Sequence, residues 1–272
     1  MQRPIVTLTT DFGLSDHFVG TMKGVILNIA PHAEIVDISH SVEPFDILDG
    51  ALTIAEAYSY FPERTVHVVV VDPGVGSARR PVIASTDRHN FVAPDNGVLS
   101  LVYAREERLN VRHLTSDHYF LAAVSNTFHG RDVFAPAAAH LAAGVDREKF
   151  GPEITDYARF DPPKPKPVGA QTLRGVVLKV DRFGNLITNF TPRDVPALFE
   201  AGTGFKIGVG KREVTALRTS YSEAAAGEVF AILGSMGYLE ISANRGSASQ
   251  LTGAAKGAEI RVLLEGALGA GS

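Results

Sequence analysis

Val66-His67-Val68-Val69-Val70-Val71-Asp72-Pro73-Gly74-Val75-Gly76-Ser77-Ala78-Arg79-Arg80 is the stretch on which the fold turns. Its first six residues are almost continuously apolar, as in a central strand buried on both faces of a sheet. The run stops at Asp72 and gives way to a turn of proline and glycine. Working outward, residues 5–10 form a second β-branched run, and residues 17–29 place Phe18, Met22, Val25, Ile26 and Ile29 at helical spacing. Residues 35–38, 82–85 and 91–93 read as strands, 46–60 and 98–105 as helices, and 133–143 as a helix ended by Gly144. Strands alternating with helices predict an α/β front domain with a mainly parallel sheet.

Beyond residue 160 the pattern changes. Asp161-Pro162-Pro163-Lys164-Pro165-Lys166-Pro167-Val168 predicts an extended, semi-rigid linker over 161–168, in preference to helix or sheet. It would separate a domain of residues 1–160 from one of 169–272. In the latter, short strands at 176–180, 186–190, 205–209, 214–217, 229–233, 238–241 and 260–264 are punctuated by Gly, Asn and Ser, which predicts a smaller all-β barrel. All nine histidines fall in the first 140 residues, so any imidazole chemistry belongs to the front domain.

Composition narrows the function. The chain of 272 residues has no cysteine, which rules out disulfides and thiol chemistry and suits a reducing cytoplasm. Twenty-six basic against 30 acidic residues leave a net charge of −4 with no basic tract, so no nucleic-acid partner is expected. The apolar stretches fall short of the ~20 residues of a membrane helix, and the first ten residues lack the pattern of a secretory signal. The expectation is a soluble cytoplasmic protein with no membrane partner. The histidines show no HxH or HExxH spacing, so neither a metal nor a cofactor is expected.

In an open α/β sheet, ligands bind beyond the carboxyl ends of the strands. Asp11 follows the first strand and Asp72 the buried one. Asp11 also suits a turn, and Asp16, with Ser15, stands where a helix starting near His17 would be capped. Asp72 and Arg79 suit either a ligand rim or a surface ion pair. His129, in Thr127-Phe128-His129-Gly130-Arg131-Asp132, reads as a packing residue or as an acid–base group, depending on its neighbours. Phe183-Gly184-Asn185 is a hairpin turn whose ring and carboxamide also suit a purine. Turns 234–238, with Ser235 and Met236, and 242–246, with Asn244, let a ligand approach their backbones closely.

Together, Thr9-Thr10-Asp11-Phe12-Gly13, Val71-Asp72-Pro73-Gly74-Val75-Gly76, Ala93-Pro94-Asp95-Asn96-Gly97, Thr127-Phe128-His129-Gly130-Arg131-Asp132 and Phe183-Gly184-Asn185 occur in the order found in one family. The chain resembles the S-adenosylmethionine (SAM) hydroxide adenosyltransferases, or SAM hydrolases, relatives of the fluorinase and chlorinase enzymes, from about residue 5 to 262. The resemblance implies an α/β domain followed by a β-barrel domain. It also implies a homotrimer with active sites between one subunit's front domain and its neighbour's back domain. The implied reaction is attack of water or hydroxide on the ribose C5′ of SAM, giving adenosine and L-methionine. Asp72, Arg79 and His129 match the family's hydrolytic triad, and in the halogenases the position of Asp72 is not an aspartate. Asp11 matches a ribose contact, Asp16 a residue near the methionine, Phe183 and Asn185 adenine contacts, and Ser235 a contact near the methionine tail. Asn244 joins the substrate-binding candidates. Met236 and Phe45 stand where the fluorinase has an arginine and a tryptophan.

A sulfonium leaves as a neutral thioether and needs no general acid, so the difficulty lies in the nucleophile. A permanently cationic Arg79 suits a developing hydroxide. An aspartate held by an arginine is a weak base, so Asp72 is expected to position rather than to take a proton. Three other readings stay open on the residues alone: a chloride-using halogenase, an adenosine or SAM sensor without turnover, and a metal-dependent hydrolase.

Overall fold

The computed structural model describes residues 3–199 and 204–265. The chain divides into two compact units, Met1–Asp161 and Pro162–Ser272. In the first unit the strands are β1 (Ile5–Thr10), β2 (Glu34–Ser39), β3 (Val66–Val70), β4 (Pro81–Ser85), β5 (Asn90–Pro94), β6 (Asn110–His113) and β7 (Glu153–Ile154). The helices are α1 (Phe18–Ile29), α2 (Ile47–Ala57), α3 (Ser100–Tyr103) and α4 (Ala135–Ala142). One sheet runs in the order β2-β1-β3-β5-β4-β6-β7.

β3 is buried at every position, as its apolar run requires. Val66, Val68 and Val70 pack on one face with Met22 and Ile26 of α1 and with the alanines of α4. Val69 and Val71 pack on the other face with Ile54 of α2 and Val102 of α3. The sheet is mixed, which corrects the expectation of a mainly parallel one. β2-β1, β1-β3 and β3-β5 are parallel, but β5-β4, β4-β6 and β6-β7 are antiparallel. Only residues 86–89 connect β4 to β5, a hairpin length, whereas a parallel return needs a crossover of about a dozen residues. The segment read as one helix over 133–143 is a π-helical turn, Gly130–Phe134, running into α4.

In the second unit β8 (Lys166–Pro167) pairs antiparallel with β9 (Thr172–Val180). Part of the proline-rich segment therefore joins the sheet, against the expectation of a connector outside it. The remaining strands are β10 (Leu186–Thr188), β11 (Gly204–Val209), β12 (Arg212–Val214), β13 (Leu217–Arg218), β14 (Val229–Leu233), β15 (Leu239–Ala243) and β16 (Glu259–Glu265), with a short helix α5 (Ala248–Thr252). The strand expected over 214–217 is two edge strands. The main ladder runs β12-β11-β16-β9-β10-β15-β14-β13. Its two edges are consecutive in the chain, joined by Thr215 and Ala216, so the sheet curls round upon itself. Among the described residues no pairing links β12 to β13, so the result is an open half-barrel. With α5 it is neither a closed barrel nor all-β.

Among the described residues, no helix is long and apolar enough to cross a membrane.

Candidate active site

β1 and β3 are parallel, with Thr10 opposite Val70. Asp11 and Asp72 therefore emerge one and two residues beyond a paired position, on the same carboxyl rim. Asp72 is clasped by Arg79: Nε donates to Oδ1 at 3.0 Å and to Oδ2 at 2.8 Å, and Nη2 donates to Oδ2. Nη2 also lies 2.8 Å from Nδ1 of His129. A guanidinium only donates, so Nδ1 is the acceptor and the ring carries its proton on Nε2. Burial, and then the charge of Arg79, lower the pKa of His129 against the opposing pull of Asp72, Asp132 and the Ser125 backbone, which favours the neutral ring. The Arg79 and Asp72 side chains are 9% and 4% exposed. The guanidinium carbon sits 5.0 Å from the centre of the Phe134 ring, a cation–π contact that helps hold it.

Local sequence explains the convergence. After β3, Val75 N–H donates to Asp72 O and Ser77 N–H to Gly74 O, two successive turns that return the chain to Arg79. Gly76 has φ 77°, and a Cβ there would lie 2.3 Å from the Asn126 carbonyl oxygen. Only glycine lets this loop press against the loop that carries His129. That second loop is organised by Asp132, which is fully buried. Asp132 Oδ2 accepts from Ser125 N–H and from Ser125 Oγ, both at 2.8 Å, and Arg131 braces the same carboxylate. Burial would raise its pKa, but Arg131 and Ser125 outweigh it and the carboxyl is held below its usual value. The π-helical turn follows directly, as such turns often do at functional sites. A cavity of about 110 Å³ is lined by Phe12, Phe18, Val70, Asp72, Phe128 and His129.

Asp11 accepts the Phe45 backbone N–H at 2.8 Å. Burial raises its pKa, opposed by backbone hydrogen bonds from Phe45 and its own N–H, and the nearby Asp72 charge raises it further. Phe45 has φ 65° and is 72% exposed, an unusual backbone and an unusual exposure for a phenylalanine. Asp16 is exposed just ahead of α1. It does not cap that helix: His17 takes the N-cap position and no side chain bonds the cap.

The second unit contains a cleft of about 1110 Å³ whose lining includes Phe183, Asn185, Ser235, Met236 and Asn244. All five candidates from this half of the chain thus share one depression. Asp181 builds its aromatic turn: Oδ1 accepts from Phe183 N–H at 2.9 Å and from Asn185 N–H at 2.8 Å, and Oδ2 accepts from Asn185 Nδ2 at 2.9 Å. That clasp leaves Phe183 77% exposed on the turn. Asn244 Nδ2 donates to the Ala224 carbonyl at 2.6 Å, so its amide also holds a neighbouring loop.

The sequence reading did not select Asp132, Asp181, Tyr221 or Glu240. Asp132 lies inside a quoted motif, and Asp181 stands two residues before the Phe183-Gly184 turn, where an aspartate is a signal for an Asx turn. Among the described residues, no group of three or more His, Cys, Asp or Glu side chains is placed to hold a metal ion.

Comparison with known proteins adds the following. Residues 6–151 match the SAM hydroxide adenosyltransferase N-terminal domain, and residues 175–261 match the corresponding C-terminal domain. An (R)-S-adenosyl-L-methionine hydrolase of Thermus thermophilus is 40% identical over 268 residues, covering 96% of this chain and 100% of that one. A fluorinase of an Actinoplanes species is 30% identical, covering 89% and 91%. A crystal structure of an uncharacterized conserved protein from Thermotoga maritima superposes with a TM-score of 0.86 at 37% identity, covering 95% and 99%.

Proposed function

The chain belongs to the SAM hydroxide adenosyltransferase family, and we propose that it hydrolyses (R)-S-adenosyl-L-methionine to adenosine and L-methionine. The observation that carries this reading is the bonded chain Asp72–Arg79–His129 at the carboxyl rim of the sheet. The R configuration at sulfur comes from the name of the Thermus relative.

In this account a water oxygen forms a bond to C5′ as the C5′–S bond breaks. The electron pair of that bond goes to sulfur, the sulfonium becomes a neutral thioether, and one proton of the water passes to solvent. Arg79, held by Asp72 and leaning on His129, supplies fixed positive charge next to the developing hydroxide. Neutral His129 presents Nε2–H as a donor that orients an oxygen. With both Asp72 oxygens occupied by Arg79, the aspartate acts by positioning rather than by removing a proton. Asp11 holds the ribose hydroxyls and so aligns C5′ between water and sulfur. Phe45 and Asp16 bound the C5′ and methionine sides. Phe183 stacks on adenine and Asn185 bonds its edge, while Ser235, Met236 and Asn244 shape the methionine end.

The candidates are divided between the two units, and Phe45 and Phe183 are both largely exposed. This supports sites completed between the front domain of one subunit and the back domain of the next in a homotrimer. A reducing cytoplasm suits a chain without cysteine. The test is incubation of purified protein with each sulfonium epimer, with and without chloride, in buffer containing a chelator. Adenosine and methionine from the R epimer alone, unaffected by chloride, is the expected result. A 5′-chlorinated nucleoside, or no turnover of either epimer, would overturn the reading.

A further inference from the structure

Of the five motifs that carry the family resemblance, Ala93-Pro94-Asp95-Asn96-Gly97 is the one that the reaction as described leaves without a task. It forms the end of β5 and the turn beyond it. Pairing of β3 with β5 ends at Val68 and Val92, and Pro94 has no N–H to carry it further. A side chain takes over: Asn96 Nδ2 donates to the Val71 carbonyl at 2.8 Å, while its Oδ1 accepts from Val98 N–H at 3.1 Å. One partner needs a donor and the other an acceptor, which fixes the orientation of the amide. The residue before it grips a second place. Asp95 N–H donates to the Arg80 carbonyl at 2.8 Å, and Asp95 Oδ2 accepts from Arg80 Nε at 3.0 Å and from Nη2 at 2.7 Å. The Asp95 side chain is 4% exposed, and its other oxygen accepts from Ala158 N–H at 2.7 Å. Arg80 also donates to the Asp156 carboxylate at 2.8 Å and to the Asp156 carbonyl at 2.9 Å, so the last residues of the unit brace the same clasp.

Val71 and Arg80 flank the loop that runs from Asp72 to Arg79. Two consecutive residues of the motif thus hold the chain immediately before Asp72 and immediately after Arg79. We propose that Asp95 and Asn96 are positioning residues for the reaction: by pinning both ends of this loop they set where the Asp72–Arg79 pair stands against His129, an inference that rests on the hydrolase reading above. The chemistry makes that placement matter. Stabilisation of a developing hydroxide by Arg79 depends on the distance between them, and a misplacement of about 1 Å can cost about 100-fold in rate. Neither Asp95 nor Asn96 needs to touch the substrate. The neighbouring Arg80 is no substitute for Arg79, because its guanidinium is engaged by Asp95 and Asp156.

The test measures SAM turnover by Asn96→Ala in the wild-type and Arg79→Lys backgrounds, with the folded fraction followed by circular dichroism. In the wild-type background kcat should fall about 30-fold, with KM within about 3-fold. In the Arg79→Lys background the same change should cost less than about 3-fold, because the fork that Asn96 helps to place is already gone. Asp95→Asn, which keeps the backbone bond to Arg80 and weakens the grip on its side chain, should show the same pattern with a fall of about 5-fold and stands in if Asn96→Ala does not fold. Equal losses in both backgrounds would mean that the motif only supports the fold, and would overturn the inference while leaving the hydrolase reading intact. Unchanged kcat, or a loss confined to KM, would also overturn it. Wild-type protein inactive on SAM would instead remove the hydrolase reading, and this inference with it.

Discussion

In the first unit Asp72, Arg79 and His129 are bonded to one another, and the ion-paired side chains are at most 9% exposed. In the second, Phe183 stands 77% exposed on a turn over an open cleft. The first arrangement is complete before any ligand arrives, which is what electrostatic stabilisation of a transition state requires. The second is shaped to gain its partners from the ligand. On the reading proposed above, the bonded triad sets the rate and the open cleft recognises adenine, so substitutions at these two places should separate kcat from affinity.

The sharpest way to break this comparison is Arg79→Lys. A point charge replaces a fork that bonds Asp72 and His129 together. The account expects kcat to fall about 100- to 1000-fold, with adenosine affinity by calorimetry changed less than about 3-fold. Wild-type turnover in this variant would remove Arg79 from the mechanism. Next in size is Gly76→Ala, whose new Cβ meets the Asn126 carbonyl at a positive φ. A stability loss of about 1–3 kcal/mol in chemical denaturation is expected, with a fall in kcat as the two loops separate. Unchanged kcat would show that the contact between the loops does not set the position of Arg79.

On the recognition side, Phe183→Ala should weaken adenosine binding by about 5- to 100-fold, the range for loss of one stacked base. Saturated turnover should stay within about 2-fold of wild type. A large kcat effect with normal affinity would blur the division between the units.

The smallest effect expected concerns pH and stability. His67 is fully buried and its pKa is lowered, chiefly by burial and then by His89, from 6.5 to about 3. The unfolded chain therefore binds this proton more readily than the folded one. Its neutral form favours the fold fully above about 6.5, and that contribution is lost as pH falls from 6.5 toward 3. All histidines lie in the first 140 residues, so this acid sensitivity belongs to the first unit. His67→Leu should flatten the decline in denaturation midpoint between about pH 6.5 and 4. An unchanged slope would assign the decline to other groups.

Much of this division was legible in the sequence because its signals are local. An almost continuously apolar run marks β3 as central, and the residue that ends it, Asp72, lies on the rim where ligands bind. The antiparallel half of the sheet was hidden because its evidence is a connection length, residues 86–89, rather than a residue pattern. β6 is a four-residue Asn-Val-Arg-His strand with too little alternation to stand out. Glu240 escaped notice for a different reason. An acid between two apolar residues in a strand reads as a solvent-facing position, and only the curl of the half-barrel turns that face into a cleft. Asp132, next to Arg131, likewise reads as half of a surface pair until the loop closes over it.

The central claim is that water attacks C5′, and an isotope tests it most directly. Hydrolysis of (R)-S-adenosyl-L-methionine in water enriched in oxygen-18, followed by mass spectrometry, should place one heavy oxygen on the 5′ position of adenosine and none in methionine. Unlabelled adenosine, or label in methionine, would contradict the account.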